Sequence, residues 1–109
     1  MHAPPKRDYP IATPETLKEA DGILFGYPPD SEATQLMTMA FMTSHGMTFV
    51  PLGYRAKQLF NVDELHGGSP WGAGTIAGPD NSRQVSKLEK EIAMEQGKSF
   101  AEVTKKLSA

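Results

Sequence analysis

Two short apolar runs constrain this chain more than any other feature. Ile23-Leu24-Phe25-Gly26-Tyr27 follows Asp21-Gly22 and stops at Pro28-Pro29. Met47-Thr48-Phe49-Val50-Pro51-Leu52 follows Gly46 and carries a proline near its end. A strand with one wet face alternates apolar and polar residues, whereas a continuous apolar run between turn residues suits a strand covered on both faces. Proline at such ends fits, because it donates nothing to a ladder. Between the runs, residues up to about Ser44 read as a helix. Asp30 or Ser31 caps it, Leu36, Met37, Ala40 and Phe41 share one face, and Gly46 suits the position just past its end. Strand, helix, strand in that order predicts a right-handed parallel βαβ unit.

Two further helices announce themselves by their starts. Thr13-Pro14-Glu15 combines a capping hydroxyl, a proline at the first helical position and an acid at the positive end of the dipole; Asp21-Gly22 stops that helix early. Ser86-Lys87-Leu88-Glu89 matches the capping box, and a long amphipathic helix follows that should bury Leu88, Ile92, Phe100, Val103 and Leu107. Gly97, in its middle, costs about 1 kcal/mol against alanine and suggests close approach to a strand. Residues 53 to 72 read as loop, with Gly53, Gly67, Gly68 and Gly72 and a turn at Ser69-Pro70, and Gly74 to Gly78 as a short strand. At 109 residues there is material for one domain. It is expected over residues 10 to 109, after a flexible lead-in over residues 1 to 9 that holds Pro4, Pro5, Lys6 and Arg7.

Composition excludes several classes. A net charge of -2 offers no clustered excess of Lys and Arg for nucleic acid. With no cysteine there are no disulfides, thiol nucleophiles or thiolate metal sites, which suits a cytoplasmic setting. No apolar run approaches the roughly 20 residues of a transmembrane helix, and Met1 to Arg7 lack the apolar core of a signal peptide.

The order of residues from His45 to Gln84 follows no simple period. It runs His45-Gly46-Met47-Thr48-Phe49-Val50-Pro51-Leu52-Gly53-Tyr54, then Leu65-His66-Gly67-Gly68-Ser69-Pro70-Trp71-Gly72-Ala73-Gly74-Thr75-Ile76-Ala77-Gly78, and closes on Ser82-Arg83-Gln84. In this order the chain resembles the C-terminal part of the WrbA-type NAD(P)H:quinone oxidoreductases (type IV), particularly their fungal members. The resemblance begins near Pro10-Ile11-Ala12-Thr13-Pro14-Glu15 and reaches almost to the C-terminus. It implies an α/β, flavodoxin-like three-layer fold, here incomplete: a βαβ remnant plus a long C-terminal helix. It further implies FMN as cofactor, NAD(P)H as electron donor, a quinone as the substrate of two-electron reduction, and association with itself or with full-length relatives.

The departures from that family matter as much. The chain lacks the family's first strand, with the Ser/Thr-rich loop and helix N-terminus that bind the FMN phosphate. Between the Tyr27 to Ser31 loop and Glu32 it also lacks a helix, an aromatic substrate wall, a strand and a Ser-Thr-Gly-rich loop around the flavin ring. Pro29, Asp30 and Ser31 stand where the family has Thr, Arg and Phe; proline removes an amide donor and aspartate would repel a reduced, anionic flavin. Little FMN affinity and no activity in isolation are therefore expected, leaving a non-catalytic subunit of full-length paralogues or a non-functional truncated gene product as alternatives.

His45 is the one residue the resemblance assigns to the cofactor, as a contact near the flavin ring. The residues alone also allow it a plain role at a helix C-terminus, among unpaired carbonyls. Trp71 is either a partner anchor or a cover for its own core. Gly67-Gly68-Ser69-Pro70-Trp71-Gly72 lacks nucleotide-loop spacing, and Asp63, Glu64 and His66 match no metal-ligand set, so both segments read as loop.

Overall fold

The computed structural model describes residue 5, residues 8 to 26 and residues 31 to 109. Within them lie the helices α1 (Pro14–Glu19), α2 (Ser31–Ser44) and α3 (Lys87–Leu107), with a 3₁₀ turn at Lys57–Phe60. Local chemistry sets their ends. The Thr13 hydroxyl accepts from the Thr16 amide at 3.3 Å while the Thr16 hydroxyl accepts from the Thr13 amide at 2.8 Å, a reciprocal cap ahead of Pro14. At α3 the Ser86 hydroxyl accepts from the Glu89 amide at 3.1 Å, and the Glu89 carboxylate accepts from the Ser86 amide at 2.9 Å. Helix α2 is closed by Gly46, two residues past its end, whose φ of 73° only glycine adopts freely. The Gly46 amide donates to the Thr43 carbonyl at 3.0 Å and the Met47 amide to the Met42 carbonyl at 3.3 Å, the bond pair of a Schellman ending. Ser31 is the first residue of α2, while Asp30, the loop at residues 27 to 30 and most of the lead-in over residues 1 to 9 lie outside what the structure describes.

Leu52, Ala56, Leu88 and Ile92 form the buried core, with Leu59 and Ala73 packed against it. It joins the first turns of α3 to the loop that carries the 3₁₀ turn. A second loop pass closes over it at Gly67, where a Cβ would stand 2.7 Å from the backbone of Gly74 and Thr75. This core is small for the chain. The molecule exposes 9030 Å², against roughly 6000 Å² for a compact protein of 11.9 kDa.

The expected sheet does not form among the described residues. Ile23 to Gly26, Met47 to Leu52 and Gly74 to Gly78 carry no strand, and the single β-bridge there closes the tight turn between Ser69 and Gly72. A ladder needs two rows of backbone groups about 4.8 Å apart. The two apolar runs instead share the lining of a cavity of about 180 Å³. The 74 to 78 segment spends its donors elsewhere: the Thr75 hydroxyl and Ile76 amide both reach the Glu89 carboxylate.

Two apolar faces also differ from the sequence reading. On α2, Leu36, Met37, Ala40 and Phe41 are exposed, while Gln35, Thr38, Met39 and Met42 are the half-buried side. Helix α2 packs on no other helix of the described residues, so its strongest apolar stripe has no cover among them. On α3, Leu88 and Ile92 are buried and Phe100 and Val103 half-buried, but Leu107 is 67% exposed. Glu89 and Ser99 are buried in its place, each held by an arginine. The close approach expected at Gly97 is absent, since a Cβ there would meet nothing within 4 Å. The tight contact falls at Gly22, where a Cβ would lie 2.7 Å from the Phe100 ring.

Candidate functional site

Two adjoining cavities are bounded by both α2 and α3. The larger, of about 760 Å³, is lined by His45 together with Leu17, Ile23, Met42, Met47 and Phe100. His45 follows the last residue of α2, where its amide donates to the Met42 carbonyl at 3.0 Å, and its ring meets Phe41 edge-on at 4.6 Å. The histidine thus occupies a helix C-terminus and a cavity wall at once. Lys18 and Asp21 are the charged residues of that lining.

The smaller cavity brings Trp71 to Ile23, Phe49 and Phe100. Trp71 rides on the Ser69 to Gly72 turn, which two backbone bonds of 2.9 and 3.1 Å close. Its ring lies 5.9 Å from that of Phe49 and remains 36% exposed, so the tryptophan does cover part of its own chain. Beneath the turn, Gln96 accepts from the Ala73 amide at 2.7 Å.

Asp63, Glu64 and His66 are drawn into a loop scaffold. The Asn61 side chain accepts from the Asp63 and Glu64 amides at 2.9 and 3.2 Å. The ring nitrogens of His66 face the Gly67 carbonyl at 2.8 Å and the Asn61 carbonyl at 3.0 Å. Those two carbonyls, Gly67 first, raise the imidazole above its ordinary value of 6.5, because only the charged ring donates to both.

The strongest electrostatic centre is one that the sequence reading saw only as a cap. Glu89 is 1% exposed. Its carboxylate accepts from the Gly67 amide at 2.8 Å, the Thr75 hydroxyl at 2.9 Å and the Arg83 guanidinium at 2.9 Å, besides the Ser86 amide. Arg83 also donates to the Ile76 and Leu65 carbonyls at 2.7 and 2.9 Å. Burial pushes the carboxyl up, but the Gly67 and Ser86 amides, Thr75 and Arg83 outweigh it and hold it down at about 2. Ionised and surrounded by donors, Glu89 fastens three loop segments to α3 and has no proton to exchange near neutral pH. The visible signal was the pairing of Ser82-Arg83-Gln84 with the capping box just after it.

A flavin phosphate needs a helix N-terminus with amides to spare. At α3 that end holds the Glu89 carboxylate, an anion occupying the amide an incoming phosphate would use. At α1 the Thr13 and Thr16 hydroxyls each accept from the other residue's amide, and α2 begins beside residues that are not described. The ends of α1 and α3 do not fit the phosphate of FMN, and no chemical step is derived through that group.

No family model matches the chain. Comparison with curated proteins nonetheless defines its class: the chain belongs to the NAD(P)H quinone oxidoreductase family. It is 36% identical over 141 residues to the NAD(P)H quinone oxidoreductase PST2 of Candida albicans, covering 92% of this chain and 70% of that protein. It is 38% identical over 149 residues to the quinone-oxidoreductase QR2 of Triphysaria versicolor, covering 98% and 73%. It is 39% identical over 144 residues to protoplast secreted protein 2 of Saccharomyces cerevisiae, covering 94% and 73%. The match to PST2 spans 141 positions and this chain has 109 residues, so at least 32 positions inside the matched region (141 less 109) have no counterpart here.

Proposed function

We propose that the chain is an incomplete WrbA-type member of this family, of the fungal kind. Its fold class is α/β and flavodoxin-like, with a sheet that these residues do not complete alone. The reaction of its lineage is the two-electron reduction of quinones by NAD(P)H through FMN. By itself the chain does not carry that reaction out. One observation supports this reading above the others: the relatives carry at least 32 positions within the matched region that this chain lacks (141 less 109). The residues at the ends of α1 and α3 agree with it, since each cap is self-satisfied and one is anionic.

The role that remains is a non-catalytic subunit, associated with itself or with full-length relatives. The exposed stripe of Leu36, Met37 and Phe41 on α2 favours it. A cytoplasmic location belongs to the same proposal, supported by the cysteine-free sequence. Among the described residues no helix is long and apolar enough to cross a membrane.

Titration of the purified chain with FMN, followed by quenching of flavin fluorescence, tests the reading. No saturable quenching is expected. One-to-one binding at micromolar concentration contradicts it; in that case His45→Ala weakens binding if His45 touches the ring and leaves it unchanged if the histidine only ends α2.

A further inference from the structure

The loop from Asn61 to Gly67 is tied down at both ends and drawn together across its mouth by one imidazole. At its start the Asn61 amide donates to the Gln58 carbonyl at 3.1 Å, closing the 3₁₀ turn. At its far end the Gly67 amide donates to the buried Glu89 carboxylate at 2.8 Å. Between these points Val62 is 93% exposed and Leu65 69%, so neither anchors the segment in the core. Its shape rests on polar contacts. The Asn61 side chain accepts from the Asp63 and Glu64 amides, Arg83 donates to the Leu65 carbonyl, and His66 joins the two ends.

The two contacts of His66 cannot both be made by a neutral ring. Its Nδ1 lies 2.8 Å from the Gly67 carbonyl and its Nε2 3.0 Å from the Asn61 carbonyl. A carbonyl oxygen only accepts, so each contact needs an N–H. Neutral imidazole has one N–H, and its other nitrogen would set a lone pair against an oxygen. The closed loop therefore requires the doubly protonated ring. The charged residues of the elements that meet here are Lys57 in the 3₁₀ turn, Asp63 and Glu64 in the loop, Arg83, and Glu89 on α3. Among them Glu64 and Glu89 favour the imidazolium.

Loss of one proton must break one contact, and the geometry says which. Gly67 is held on Glu89, whose carboxylate stays ionised down to about 2. Asn61 makes the longer contact, and the exposed segment that follows it has no core anchor in Val62 or Leu65. We propose that His66 is a proton-operated clasp: charged, it holds the Asn61 carbonyl and keeps residues 61 to 65 closed; neutral, it releases that carbonyl and lets the segment open while Gly67 stays on Glu89. The sign follows from the raised value of the ring. The clasp is shut below 6.5 and opens as pH rises through the folded value.

The test is solvent exchange of the Asp63, Glu64 and Gly67 amides of the full chain, followed by water-exchange NMR from about pH 5.5 to 8.5 and corrected for the intrinsic base-catalysed rate. Opening at Asp63 and Glu64 should rise about threefold to tenfold, the worth of one hydrogen bond. Its midpoint should coincide with that of the His66 ring protons, and Gly67 should keep its protection throughout. His66→Phe has no donor, so Asp63 and Glu64 should be open at every pH; His66→Lys keeps a cation able to reach both carbonyls and should hold them closed at every pH. Opening that does not change with pH in the parent overturns the proposal, as does a pH-dependent rise that survives in His66→Phe. Gly67 opening in step with Asp63 and Glu64 also overturns it, because the whole loop then moves and His66 is not its clasp. Should His66→Phe lose the protection of Gly67 as well, the coincidence of the two midpoints in the parent decides, and midpoints that differ by more than about one pH unit reject the clasp.

Discussion

At the scale of single residues, Glu89 organises the best-packed part of the molecule. Truncating it to alanine strands the Arg83 guanidinium and the Gly67 and Ser86 amides, and the loss should be about 2 to 4 kcal/mol. Amide exchange at Gly67 and Ser86 should accelerate at least thirtyfold in Glu89→Ala; rates within threefold of the parent would show that the network does not fasten the loops. The pH dependence follows from the sign of the shift. Glu89 is held at about 2, below its ordinary 4.5, so its contribution is present above the ordinary value and drains away as pH falls towards 2. His66 has the opposite sign. Its value is raised above 6.5, so its contribution is complete below 6.5 and is lost as pH rises through the folded value. A proton NMR titration of the His66 ring should give a midpoint above 6.5; a midpoint at or below it would mean that the two carbonyls do not grip the charged ring. Residue identity was legible here only in part. The Ser86 and Glu89 cap is a local spacing that sequence displays, whereas Thr75 and Gly67 reach Glu89 across 14 and 22 positions, a distance no local pattern encodes.

At the scale of elements, what sequence displayed well were boundaries. Thr13, Gly46 and Ser86 sit where capping chemistry put them, because a cap is settled within four residues. Faces and pairings were less legible, since both depend on what lies opposite. The periodicity of α2 marks Leu36, Met37, Ala40 and Phe41 as a buried stripe, yet the described chain supplies nothing to bury it against. The apolar runs have strand composition but no ladder, and a ladder is a property of two segments. Of the candidate site, sequence offered His45 through a resemblance and the structure sets it on a cavity wall; it gave no hint that Trp71 would meet Phe49. Substitutions should separate the two kinds of face. Ile92→Ala, in the true core, should cost about 2 to 5 kcal/mol in denaturant unfolding. Met37→Lys should stay within about 0.5 kcal/mol while reducing self-association in sedimentation, and a loss as large as that of Ile92→Ala would place α2 in a packed core. Gly97→Ala has open space and should stabilise α3 by about 0.5 to 1 kcal/mol.

At the scale of the whole molecule, burial decides the account. The 9030 Å² of exposed surface is half as large again as the roughly 6000 Å² of a compact domain of this mass, and among the described residues four make up the buried apolar core. Each large apolar side chain left in water forgoes about 1.5 to 3 kcal/mol, against a total stability of about 5 to 15 kcal/mol for an ordinary domain. Leu24, Met37, Phe41 and Phe49, each 46 to 76% exposed, together forgo about 4 to 7 kcal/mol, a large share of that margin. A chain that is an incomplete member of its family, as proposed, becomes well ordered only with surface added by a partner or by a second copy. Sedimentation velocity combined with thermal unfolding of the same sample tests it most directly. The expected result is a concentration-dependent assembly, or a monomer that melts broadly and early; a monodisperse monomer with one sharp, cooperative transition above about 60 °C would contradict the account.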